Sequence, residues 1–319
     1  MTHGCLLIKI KTNQRFIRSL NYIKQSPSKR ELQKDKDNLH MKMKIIGLFL
    51  IIGITTTVFA QDYVSPTYKQ WITKSADYME KNQLDSAEYA LNQALISDPK
   101  NKNNSWLMTS LGTIQQHLGK MDAAYISLTV ALNDHPQSVF ILHQRAGLLM
   151  EMERWEDARA DYNAILNIDS LDIEALYNRG VLKLEMKDRA GAQKDFEVAK
   201  RHGEFSSYGL LGIALLHRLD EEWDEAEKIY TSVLSSYPNM MDLYLKRAEC
   251  YLHLDQLSRL SSDLQAAATH EFANPMYYFL RGQLRLKQFD KLAAQSDFKK
   301  AQELGMEAEL LRPWIKRAD

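Results

Sequence analysis

The chain has 319 residues, 45% hydrophobic and 26% charged, with only 13 Gly and 7 Pro and a formal net charge of zero. That is apolar material enough for one large domain or two ordinary ones, and too little Gly and Pro for a loop-rich or all-β protein. The zero hides a split: residues 1–60 hold 11 of the 41 Lys/Arg and 3 of the 41 Asp/Glu, which leaves 30 and 38 in residues 61–319, a net of −8. A body of that sign has no general attraction for a phosphate backbone, which argues against nucleic acid as a partner.

At the N-terminus, residues 45–60 run without a charge directly after Lys42 and Lys44, and Val58-Phe59-Ala60 sets small residues at the −3 and −1 positions of a cut before Gln61. A basic start, a short apolar stretch and a small-x-small exit describe a secretory signal peptide at 41–60. A membrane-spanning helix needs about 20 apolar residues. This run is shorter and carries Thr55, Thr56 and Thr57, so an uncleaved N-terminal anchor is the alternative. The absence of a following Cys excludes a lipoprotein anchor. Residues 1–40 precede an otherwise complete signal, and both Met41 and Met43 offer starts, so 1–40 read as an upstream extension outside the functional product. The expected product is periplasmic or secreted, cut between Ala60 and Gln61, with no membrane insertion afterwards.

From residue 61 the sequence repeats itself. Asp85-Ser-Ala87, Asp122-Ala-Ala124 and Asp224-Glu-Ala226 recur, as do Tyr177-Asn-Arg-Gly180 and Phe279-Leu-Arg-Gly282. Set out with a 34-residue period, the chain gives rows at 68–101, 105–138, 139–172, 173–206, 207–240, 241–274 and 275–308. Column 8 is small throughout (Ser75, Gly112, Ala146, Gly180, Ala214, Ala248, Gly282). Column 20 is Ala except for Leu260, which predicts looser packing in row six. Column 24 is large (Leu91, Leu128, Tyr162, Phe196, Tyr230, Leu264, Phe298), and column 27 is mostly Ala. Columns 20, 24 and 27 share one face of a helix, and small residues at a crossing let two helices approach closely. Each row therefore predicts a helical hairpin. Asp85, Asp122 and Asp224 stand where a second helix would begin and are expected as N-caps. Pro99, Pro136 and Pro238 stand where it must stop. Residues 309–319 place Leu310, Leu311, Trp314 and Ile315 among Arg312, Lys316 and Arg317, an amphipathic tail expected to cap the array.

Bulk at column 4, a small residue at 8, Ala at 20, an aromatic or large residue at 24, Ala at 27 and Pro at 32 make this layout resemble the tetratricopeptide repeat (TPR) family over residues 68–308. The resemblance implies an all-α fold, a right-handed α-solenoid of about seven hairpins with a short C-terminal capping helix. It also implies a concave groove lined by first helices, with ligand-facing columns 2, 5, 6, 9, 12 and 13. Those columns nominate Trp106, Phe140, His143, Tyr177, Asn178, Tyr208 and Phe279 as a peptide-binding groove. Packing against adjacent repeats is the competing role for the apolar ones. A subset of the family clamps acidic chaperone tails with Lys and Asn at set columns. The corresponding positions here are Ile72, Ala76, Ser110, Phe140 and Gln144, so that clamp is missing.

No phosphate-binding Gly loop, His-Glu-x-x-His or Gly-x-Ser-x-Gly motif occurs. The histidines do not cluster with Cys, Asp or Glu at ligand spacing. Arg145, Arg179, Arg247 and Arg281 recur at column 7, which reads as a local salt bridge rather than four copies of a site. Cys250 lies in a helical apolar pattern and reads as a small core residue. The expectation is a non-catalytic scaffold without cofactor or metal, binding a protein or peptide. A structural subunit of an envelope assembly or secretion complex is the alternative.

Overall fold

In a computed structural model, residues 65–203, 206–268 and 274–318 are described. The leader, and with it the signal-peptide and upstream-extension readings, lies outside them. Fifteen α-helices follow one another among the described residues: α1 (Pro66–Glu80), α2 (Leu84–Ser97), α3 (Asn104–His117), α4 (Met121–Asp134), α5 (Val139–Glu151), α6 (Trp155–Ile168), α7 (Ile173–Glu185), α8 (Arg189–His202), α9 (Tyr208–Leu219), α10 (Trp223–Ser236), α11 (Met241–His253), α12 (Leu257–Ala267), α13 (Pro275–Lys287), α14 (Lys291–Glu303) and α15 (Ala308–Ala318). The fold is an all-α solenoid of helical hairpins with a short closing helix. The chain divides into two compact units, 65–182 and 183–318 in the described residues, and the division falls within α7.

The small columns do what their size requires. A Cβ on Gly112 would lie 2.7 Å from Leu128 Cγ, and one on Gly282 would lie 2.6 Å from Phe298 Cε1. Both glycines therefore let a first helix lie directly on the large side chain of its partner. Ala87, Ala124, Ala158, Ala192, Ala226 and Ala294 are all fully buried. Leu260 is fully buried too, packed with Leu245, Ala248 and Leu264, so the larger side chain is absorbed rather than left loose.

Each hairpin turns the same way. The residue at column 15 is left-handed in all seven rows: Asn82, Gly119, Glu153, Lys187, Glu221, Asp255 and Phe289, with φ from 54° to 74°. The next N–H then reaches back to a carbonyl five residues earlier, from Gln83 to Tyr78 through Asp290 to Arg285, at 2.7–2.9 Å. This is the Schellman closure of a helix end, which satisfies carbonyls the helix itself leaves open.

The N-cap expectation is corrected. α2, α4 and α10 start two residues earlier than Asp N-caps would imply, so Asp85, Asp122 and Asp224 are second residues of their helices and make no cap bond. They sit in the first turn, where a carboxylate meets the positive end of the helix dipole. Side-chain caps come instead from Asp188 to the Gly191 amide (2.9 Å) and Asp290 to the Ala293 amide (3.1 Å). The prolines fall as expected, two residues past the ends of α2, α4 and α10.

At the C-terminus, α15 seats Leu311 and Ala318 on Ala294, Phe298 and Ala301. Trp314 meets Phe279 edge-on at 5.8 Å. The tail covers apolar surface that the last hairpin would otherwise leave to water.

Candidate functional site

Five of the seven nominated residues fall in the first unit, on α3, α5 and α7; Tyr208 and Phe279 fall in the second. Phe140 is the most open of them, 42% exposed on the first turn of α5. Ser138 begins that helix by accepting the Ile141 amide (3.4 Å). Along α5, Phe140, His143, Gln144, Gly147 and Glu151 follow at helical i+3/i+4 spacing and form one stripe. His143 is half-buried, its Nε2 3.1 Å from Asp172 Oδ2. Asp172 also accepts the Ala175 amide at 2.7 Å, which ties the imidazole to the start of α7. Tyr177 and Asn178, on that helix, are half-buried.

Trp106, on α3, is half-buried against Leu107, Leu111 and the first hairpin. Its ring stacks on the His135 imidazole, with centroids 4.9 Å apart. Beside the pair is an open cavity of about 330 Å³ lined by Trp106, Asp134, His135, Pro136, Gln137 and Ser138. His135 Nε2 is buried there without a hydrogen-bond partner. The site at Trp106 is therefore a partly filled pocket rather than an open aromatic wall.

In the second unit, Tyr208 is 38% exposed at the start of α9. Phe279 is half-buried, with the Phe298 and Trp314 rings 6.2 and 5.8 Å from its own, and shares in the packing under the C-terminal helix. The cap residue Trp314 was visible in the sequence, but which first-helix side chain it covers was not.

Charges inside the array are committed to structure. Arg145 holds Asp161, Arg247 holds Asp263 and Arg281 holds Asp297, each from column 7 to column 23. Arg179 donates to Asn163 Oδ1 at 2.8 Å. The carboxylates sixteen residues on, Asp161, Asp195, Asp263 and Asp297, form a column of their own in the sequence. Arg218 of α9 is buried and pairs with Glu249 of α11. Burial works against its charge, yet Glu249, Tyr230 and Cys250 around it hold the guanidinium above its ordinary value. Among the described residues no group of three or more His, Cys, Asp and Glu side chains is arranged to hold a metal ion. No described helix is long and apolar enough to cross a membrane.

Comparison with known proteins agrees with this architecture. A family model described as tetratricopeptide repeat matches residues 208–239. The chain is similar to a tetratricopeptide repeat protein of Parabacteroides merdae of known structure, with a TM-score of 0.67 and 35% identity, over 80% of this chain and 99% of that one. It shares its fold with yeast Tom70 at a TM-score of 0.56 and 13% identity, over 82% of this chain and 65% of that one. Among curated proteins it is 23% identical to the DnaJ homolog subfamily C member 7 homolog of Dictyostelium discoideum, over 78% of this chain and 51% of the relative, and so spans about half that relative's length.

Proposed function

Because the chain belongs to the tetratricopeptide repeat family, we propose that it is an exported, non-catalytic scaffold that holds a segment of a partner protein against its first helices. The observation that carries this is Phe140: a large aromatic side chain left 42% exposed on a helix whose opposite face is fully used in hairpin packing. Exposed aromatic anchors flanked by groups such as Gln144 and Asn178 are what recognition of a peptide needs. Within the first unit, Trp106 with its cavity and Tyr177 add to the candidate surface; in the second unit, Tyr208 is a candidate of its own.

Export is part of the same proposal. It rests on residues 41–60, with 61–308 as the array and 309–319 as its cap. N-terminal sequencing of the exported protein is expected to begin at Gln61; a mature chain that keeps residue 1 overturns this part. For binding, the test is a crosslinked pull-down from the cell envelope with the wild type and with Trp106, Phe140 and Tyr208 replaced by Ala. The variant is expected to keep its helical content and lose its partners. An unchanged set of partners overturns the groove reading.

A further inference from the structure

Most helix glycines of this protein have a steric reason to be glycine. A Cβ at Gly112, Gly212 or Gly282 would lie 2.7 Å or less from Leu128, Phe196 or Phe298, and one at Gly209 would strike the backbone of Lys200. Gly147 has no such reason. It sits in the middle of α5, its φ is helical, and a Cβ there would meet nothing within 4 Å among the described residues. A glycine in a helix interior costs about 1 kcal/mol relative to Ala. Internal packing offers no return for that loss.

Its position says what the space is next to. Gly147 lies on the α5 stripe of Phe140, His143, Gln144 and Glu151, seven residues from the exposed Phe140 ring. The equivalent column elsewhere carries side chains with work to do: Leu215 and Gln283 are buried, and Glu249 pairs with Arg218. Row three alone leaves bare helix backbone there, a notch one side chain deep.

The surrounding charge is one-sided. Residues 139–182 contain no Lys, four Arg and eight Asp or Glu. All four cations are engaged: Arg145 with Asp161, Arg154 with Asp157, Arg159 with Glu156 and Arg179 with Asn163. Glu151 and Glu174 are both exposed.

We infer that Gly147 is where a basic, extended polypeptide segment crosses α5, its backbone lying closer to the helix than any side chain at 147 would allow. The inference rests on the groove reading above and adds to it a contact point and a charge for the partner.

The test uses the full exported chain and a phage-displayed library of random dodecapeptides selected on the wild type. Recovered peptides are expected to be rich in Lys and Arg. Their affinity should be lost in Phe140→Ala and fall about tenfold or more in Gly147→Gln, a change of about 1.4 kcal/mol. Gly147→Ala separates binding from folding: its thermal midpoint should rise while its affinity for the same peptides falls. Failure to recover any peptide whose binding depends on Phe140 overturns the groove reading and this inference with it. Phe140-dependent peptides that bind Gly147→Gln as well as wild type overturn the contact point alone. Peptides rich in Asp and Glu overturn the assigned charge, and a lower midpoint for Gly147→Ala overturns the claim that the space is open.

Discussion

Arg247 grips Asp263 with two parallel hydrogen bonds, Nε to Oδ2 at 2.8 Å and Nη2 to Oδ1 at 2.7 Å, across the hairpin of α11 and α12. The same sixteen-residue spacing joins Arg145 to Asp161 and Arg281 to Asp297. A bidentate pair fixes orientation as well as distance. It thus sets the register of the two helices where small residues at columns 8 and 20 would allow sliding. Arg247 also donates to Thr231 Oγ1 at 3.0 Å, which ties the hairpin to the preceding repeat.

Removing one partner of that pair should be worse than removing both. The two side chains are 15% and 6% exposed. Arg247→Leu leaves a buried carboxylate without its cation and is expected to cost about 3 kcal/mol in denaturant unfolding. Arg247→Leu with Asp263→Leu should recover most of the loss. Burial already raises the Asp263 carboxyl, against the pull of Arg247. Without the arginine it should rise further, so the deficit of the single variant should shrink as pH falls from 7 towards about 5, where the proton removes the unpaired charge. A double variant as unstable as the single would contradict this.

Cys250 should be silent in the native protein. It is fully buried, its Sγ donates to the Lys246 carbonyl at 3.4 Å, and burial raises the thiol to about 12. The thiolate is the reactive form, so a thiol reagent at pH 8 should label Cys250 only in denaturant. Labelling without denaturant, at the rate of a free thiol, would show that the α9–α11 packing opens.

His253 should make the second unit acid-sensitive. Its ring lies flat on Trp223, centroids 3.8 Å apart and 3° from parallel. Burial lowers its basicity, Arg218 and Lys287 add to that, and Glu249 and Glu221 oppose it. A histidine with a depressed native value favours folding in its neutral form. That contribution is complete above the unfolded value of about 6.5 and is lost as pH falls below it towards the native value. The wild-type thermal midpoint is therefore expected to drop more between pH 7.5 and pH 5.5 than that of His253→Gln. Equal drops would mean that the stacked imidazole does not titrate in this window.

The fold was legible because its signal is repeated. Seven small residues at column 8 and seven apolar ones at column 24 each report the same close crossing, so no single position has to carry the inference. The candidate site had no such redundancy. Phe140 stands at column 2 of its row and Phe279 at column 5; one is open, and the other is half-buried beside Trp314 of the closing helix. His143, nominated as a polar groove residue, is engaged by Asp172, a pairing the column alone does not reveal. The Arg–Asp ladder shows only when column 7 is set against column 23. Gly147 is invisible to periodicity altogether: it stands beside the small column, and only the space around its missing side chain separates it from Gly112.

Phe289 offers a final test of how the repeats turn. It occupies column 15, whose residue is left-handed in all seven rows, at φ 63°, and its side chain is 91% exposed. In this conformation Cβ crowds the following carbonyl, at a cost of about 1–2 kcal/mol for most L-residues, while Gly and Asn tolerate it. Gly119 and Asn82 show the tolerant choices at the same column. The exposed phenyl ring makes no packing contribution that could offset the strain. Phe289→Asn is therefore expected to stabilise the protein by about 0.5–1 kcal/mol, read as a higher thermal midpoint with unchanged helical content. Phe289→Val should do the opposite, because a β-branched side chain is still less at ease there. If Asn destabilises, the ring has a contact that keeps this turn in place, and the last hairpin closes by something other than its backbone.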